Sequence, residues 1–204
     1  GIQGMVFALS NLVIQAAINS LGAVVMAAST AAFTIEINIY VLLIAFGQAV
    51  TTFVSQNYGA GNLARCRKAT KTGFSVTMLV TVVLSALACL FANELLALFN
   101  DNPAVIEIGR IRIFYIIGFY FLCVFIEILS GALRGYGYSL PPALLMLVTI
   151  CGVRIAWIYT AFAAKPTFTN IMISYPLSWV ITAVLLIGIY AFYRKHIKPL
   201  ALRL

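Results

Sequence analysis

Residues 24–57 read VVMAASTAAFTIEINIYVLLIAFGQAVTTFVSQN, and Glu36 is the only Asp, Glu, Lys or Arg among them. Apolar side chains fall on every helical face of this stretch rather than along one stripe, the pattern of a helix buried all round. As a helix rising 1.5 Å per residue it is about 50 Å long, more than a bilayer's hydrocarbon core of about 30 Å requires. A transmembrane barrel strand would instead alternate apolar and polar residues over about ten positions. A helix also satisfies its own backbone hydrogen bonds, which hydrocarbon cannot do.

The rest of the chain repeats the pattern. No charged residue occurs over 1–35, 72–93 or 166–193. Of the 204 residues, 63% are hydrophobic and 9% charged, against roughly 25% charged in ordinary soluble domains. Mean hydropathy is +1.06. The sequence therefore predicts an all-α, polytopic membrane protein, a single six-helix lobe over 1–204 with spans at about 4–19, 24–57, 70–92, 108–133, 140–164 and 170–193. Gly59, Gly61, Pro103, Gly135, Gly137 and Pro166 mark turns between them, and Pro176 marks a kink.

Gly1 is not Met, and no basic stretch precedes the first apolar run, so there is no signal-peptide pattern. The first helix reads as already under way, so the chain is expected to be part of a longer protein.

Basic residues divide unevenly between alternate loops. Arg65, Arg67, Lys68, Lys71, Arg134, Arg194, Lys195, Lys198 and Arg203 fall on one side, and Arg110, Arg112 and Lys165 on the other. Positive loops stay cytoplasmic, which predicts a cytoplasmic C-terminus in a bacterial inner membrane. The net charge of +8 then needs only anionic lipid, not nucleic acid. Cys66, Cys89, Cys123 and Cys151 share no metal-ligand spacing and read as small buried residues. His196 is the only histidine and lies in the basic tail. No metal, cofactor or catalytic constellation is expected, and so no enzyme.

Three charges inside apolar runs, Glu36, Glu127 and Arg154, each cost about 2.5–3.5 kcal/mol to insert at the bilayer centre. Counted along their helices, Glu36 and Arg154 lie about 18 Å from a membrane face, and Glu127 about 10 Å. Glu36 shares a stripe of small or polar residues with Ser29, Ala32, Tyr40 and Gly47. Glu127 shares one with Tyr120, Cys123, Gly131 and Arg134. Asn11, Gln15 and Asn19 repeat at every fourth position of the first span. Such faces point into a bundle or a watery cavity. Glu36 and Glu127 are candidate ion-coupling groups, with Glu36 preferred. Asn11, Gln15, Asn19, Tyr40 and Tyr120 are candidate cavity residues. Arg154, matched in depth to Glu36, is expected to form a structural ion pair with it.

Several segments in order carry a resemblance: Ala16-Ala17-Ile18-Asn19-Ser20-Leu21-Gly22, Ile35-Glu36, and Phe53-Val54-Ser55-Gln56-Asn57-Tyr58-Gly59-Ala60-Gly61-Asn62. Leu133-Arg134-Gly135-Tyr136-Gly137, Arg154-Ile155-Ala156-Trp157 and Ser174-Tyr175-Pro176-Leu177-Ser178-Trp179 continue it. Together they resemble the C-terminal six-helix lobe of the multidrug and toxic compound extrusion (MATE) family. The resemblance implies a twelve-helix antiporter that exports small organic, often cationic, compounds in exchange for Na⁺ or H⁺, with an N-terminal lobe absent here. It matches Glu36 and Glu127 to lobe acids on the second and fourth spans, although some members place the latter one turn earlier, at Cys123. Some members also carry a first-span acid that this chain lacks. Two other readings stand beside it, a lipid-linked precursor flippase of the same superfamily and a non-transporting structural membrane subunit.

Overall fold

A computed structural model describes residues 2–197, with side chains from Ala8 onward. Lys198 and Arg203, used above to orient the C-terminus, lie outside the described residues. The helices are α1 (Ile2–Asn19), α2 (Ala23–Gly59), α3 (Leu63–Leu90), the short α4 (Ala92–Ala97), α5 (Pro103–Ile116) and α6 (Tyr120–Gly135). After them come α7 (Leu140–Met146), α8 (Val153–Trp157) and α9 (Phe168–His196). A 3₁₀ turn at Ile117–Phe119 joins α5 to α6, and a π-helical turn at Leu147–Gly152 joins α7 to α8.

Among the described residues, five helical stretches are long and apolar enough to cross a membrane: Ala23–Gly59, Leu63–Leu90, Pro103–Gly135, Leu140–Phe162 and Phe168–His196. The first expected span corresponds to α1, of which Ala8–Asn19 is a shorter apolar segment. The third span begins seven residues before the expected start. Arg65, Arg67, Lys68 and Lys71 ride exposed on its first turns rather than forming a loop.

Local chemistry explains the boundaries. Gly61 takes a left-handed φ of 74°, so the Asn62 amide turns back to donate to the Asn57 carbonyl at 2.8 Å. Asn62 then opens α3, its Oδ1 accepting from the Arg65 amide at 3.0 Å. Asn102 caps α5 in the same way, accepting from the Ala104 amide at 3.0 Å. Pro103 follows it at the first helical position, where no amide hydrogen is needed.

The centre of the bundle is α2, packed against α3, α5 and α6, with α9 closing over α5 and α6. The two small-residue stripes read from the sequence face each other across α2 and α6. A Cβ added at Gly131 would sit 2.5 Å from the Gly47 carbonyl oxygen, so only glycine permits this approach. The Thr51 hydroxyl bridges the seam, donating to the Gly131 carbonyl at 3.0 Å. Outward faces carry exposed apolar residues such as Leu79, Leu90, Val148 and Val184, the surface a bilayer would cover.

Candidate functional site

Four successive positions of one α2 face, Ser29, Phe33, Glu36 and Tyr40, line a cavity of about 870 Å³ between α1, α2 and the α5–α9 half of the bundle. Such a volume lies in the range of small-molecule sites, about 300–1,000 Å³. Asn11, Gln15 and Tyr120, read from the sequence as candidate cavity residues, also line it, and so do Arg154, Arg112, Tyr175 and Trp179. Asn19 is not on the wall. It accepts a hydrogen bond from Gln15 Nε2 at 2.8 Å, steadying that amide from one turn away.

Glu36, 5% exposed, does not pair with Arg154. Its partner is Arg112 of α5, also 5% exposed, which the sequence reading counted among the outer-side charges at the start of the fourth span. Arg112 Nε donates to Glu36 Oε2 at 3.0 Å and Nη2 to Oε1, while Nη1 donates to Ser29 Oγ at 2.7 Å. The Phe33 ring lies 5.5 Å from the guanidinium. This is a two-pronged, charge-assisted pair. The planar fork of Arg112 meets Glu36 because α5 packs directly on α2, whereas Arg154 is carried by α8, which packs on α9. The two guanidiniums approach the same Tyr175 ring, at 6.0 and 4.2 Å from its centroid. A signal for Arg112 was present in the sequence. It shares a helical face with Val105, Gly109 and Ile116, all buried, whereas Arg110 points out toward Phe114.

Arg154 of α8 is 7% exposed. Its Nε donates to Ser178 Oγ at 3.2 Å. Its guanidinium stacks 4.2 Å from the Tyr175 ring and 5.7 Å from that of Trp179. Tyr175, Ser178 and Trp179 share one face of α9, three and four residues apart. Among the described residues no carboxylate forms an ion pair with Arg154; the ion pair found there is Arg112–Glu36.

Glu127 of α6 sits behind the wall. The Tyr40 hydroxyl donates to Glu127 Oε1 at 3.1 Å, although Tyr40 shares its helical stripe with Glu36. Oε2 of Glu127 lies against Gly47, where an added Cβ would come within 3.3 Å. Tyr40 also packs on Tyr120, ring centroids 5.8 Å apart. Tyr40 therefore links the cavity to the second acid: its ring faces the cavity and its hydroxyl faces Glu127.

A polytopic α-helical membrane bundle holding a charged, aromatic-lined cavity is the class defined by this fold and site. The MatE family profile matches residues 1–160, and the chain belongs to that family. Its relatives include the probable multidrug resistance protein NorM of Thermotoga maritima, 30% identical over 52% of this chain and 23% of that protein. The probable multidrug resistance protein YoeA of Bacillus subtilis is 24% identical over 74% of this chain and 33% of that one. Curated members are thus named as resistance proteins, not enzymes. Among solved structures, an outward-facing multidrug resistance MATE family transporter of the MOP superfamily superposes with a TM-score of 0.86 at 18% identity. The superposition covers 95% of this chain and 43% of that one. A MOP superfamily transporter from Pyrococcus furiosus, described as having a binding pocket of reverse polarity, matches with the same TM-score and identity. The chain spans 23% and 33% of the length of these two curated relatives and less than half of the solved chains.

Proposed function

We propose that this chain forms one lobe of a secondary antiporter that exports small organic compounds in exchange for Na⁺ or H⁺, and that Glu127 is the coupling group of the lobe. The observation that carries this is the pairing pattern of the two buried acids. Glu36 is neutralised by a two-pronged arginine, and an acid held in that way has little reason to release its charge. Glu127 accepts from a neutral phenol and has no ion-pair partner among the described residues. A carboxylate without a counter-charge in a low-dielectric setting gains most from taking a cation or a proton.

Tyr40 supplies the link to substrate. A hydrogen bond to an ionised acceptor is roughly twice as strong as one between neutral groups. Loading Glu127 with an ion therefore loosens the Tyr40 hydroxyl, and Tyr40 forms part of the cavity wall. Ion occupancy behind the wall thus changes the wall itself, which is the linkage antiport requires. The names of the curated relatives support the efflux part of this reading.

The test is substrate efflux from proteoliposomes holding the intact transporter, with imposed Na⁺ or pH gradients and folded yield checked by gel filtration. Glu127→Gln should abolish gradient-driven transport. Tyr40→Phe should keep transport but shift its Na⁺ or pH dependence. Glu127→Gln transporting at the wild-type rate with unaltered ion dependence would overturn the assignment.

A further inference from the structure

The charges on the cavity wall do not cancel. Glu36 and Arg112 neutralise each other, which leaves Arg154 as the uncompensated charge among the described lining residues. A guanidinium has five donors in a fixed fork, and the structure gives Arg154 one protein acceptor, Ser178 Oγ. Its remaining N–H groups have no protein acceptor among the described residues, although the side chain is 7% exposed and lines the cavity. A charge buried this deeply is expected to be paired.

The setting is built rather than incidental. Tyr175 and Trp179 stack against the guanidinium, and Ser178 fixes Nε from one side. The orientation of the side chain is therefore set by packing, and its outer edge is left for a ligand. Tyr120, which packs on Trp179, and Phe33 add further aromatic surface to the same cavity. Trp157, a few residues along the same helical stretch, is tied down separately by its indole N–H donating to the Asn170 carbonyl at 2.9 Å. It thereby braces α8 against α9.

We propose that Arg154, framed by Tyr175, Ser178 and Trp179, is an oxyanion-binding site, and that the ligand this lobe holds is a flat aromatic body carrying a carboxylate or a similar anionic group. The inference deepens the transport reading by naming a substrate class. For the part of the substrate that touches this lobe, it replaces the cationic group implied by the family resemblance. A carboxylate accepts two parallel N–H bonds from the free edge of the fork, while the aromatic body packs among the rings. Arg112 does not compete, because Glu36 occupies its fork.

The experiment is calorimetric binding to the intact transporter in detergent, without any ion gradient, so coupling can fail while this holds and the reverse. The probes are 2-naphthoate, the neutral 2-naphthalenemethanol, the cationic 2-naphthylmethylammonium, and dodecyl phosphate as a lipid-like anion. Naphthoate is expected to bind at least about tenfold more tightly than the alcohol, a ratio that one charge-assisted hydrogen bond can supply. It should also bind more tightly than the ammonium and than dodecyl phosphate. Arg154→Gln should erase the naphthoate preference while leaving the alcohol's affinity in place, and Arg154→Lys should retain part of the preference. Equal binding of acid and alcohol by the unmodified protein overturns the proposal without any variant. So does tighter binding of the ammonium, or a preference that survives in Arg154→Gln. Tighter binding of dodecyl phosphate than of naphthoate overturns the aromatic assignment in favour of a lipid headgroup.

Discussion

Arg112 and Arg154 are both buried, yet removing them should have different consequences. Truncating Arg112 takes from the Glu36 carboxylate the guanidinium that donates to both of its oxygens, and breaking a buried pair on one side typically costs about 3–5 kcal/mol. Arg112→Ala is expected to lose that much thermal stability in detergent, and Arg112→Ala with Glu36→Gln should regain a large part of it. Arg154 leaves no stranded carboxylate. Its removal forfeits ring contacts of about 0.5–2 kcal/mol, so Arg154→Gln should unfold closer to the unmodified protein than Arg112→Ala does. The opposite ranking in a thermal-shift series would mean that Arg154 has an acidic partner after all. Sequence reasoning located Glu36, Glu127 and Arg154 because a charge in an apolar run is costly wherever the run goes. It mispaired them because partner choice depends on which helix faces which. Depth along a helix gave Arg154 and Glu36 the same level, but it did not say that α5 packs on α2 and brings Arg112 to Glu36.

The α2–α6 seam converts glycine spacing into site geometry. Gly47 and Gly131 let the backbones approach until Thr51 can bridge them, and that approach brings Tyr40 to Glu127 from the facing helices. A side chain at Gly131 would meet a backbone oxygen rather than a movable atom, so the helices would have to part. Gly131→Val is expected to cost about 1–3 kcal/mol as overpacking and to weaken ion dependence of transport along with it. Gly188 of α9 faces open space and supplies the control. Gly188→Ala should unfold at or slightly above the native temperature, since replacing a helical glycine by alanine gains about 0.5–1 kcal/mol. Equal behaviour of the two variants would show that the close approach does not matter. The facing stripes were legible as small residues at helical spacing; that they face each other was not, because periodicity orients a helix without naming its neighbour. The start of α3 was missed for a related reason. Its basic residues looked like a loop, yet Asn62 caps the helix before them, and long basic side chains on a first turn reach water at the membrane surface. The π-helical turn before α8 also left no sequence mark. It sits directly before the segment that carries Arg154, where such turns often accompany functional sites.

At the scale of the molecule, two expectations follow from the same charge pattern and the same cavity. Arg112 belongs inside the bundle, so the side carrying Arg110 and Lys165 is still poorer in positive charge than the sequence count implied. The bias expected to place the α2–α3 turn and the end of α9 in the cytoplasm is correspondingly stronger. In a protein stripped of its native cysteines, a Cys at Asp101, in the α4–α5 connection, should react with an impermeant thiol reagent from outside. A Cys at Arg194 should react only after the membrane is opened, and the reverse pattern would invert the topology. The second expectation concerns completeness. The solved transporters this chain resembles are more than twice its length, the match covering 43% of one such chain, and in repeat-built transporters the site lies between halves. The 204-residue chain holds one charged wall and the acid behind it. Alternating access requires a second wall to rock against. Expressed alone, the chain is expected to insert and to bind 2-naphthoate weakly, but to give no gradient-driven efflux. Co-expression with a matching N-terminal lobe should restore efflux, and the restored activity should vanish with Glu127→Gln in this lobe. Efflux by the lone chain, measured where crosslinking finds no dimer, would place the whole transport cycle within these helices and refute the two-lobe reading.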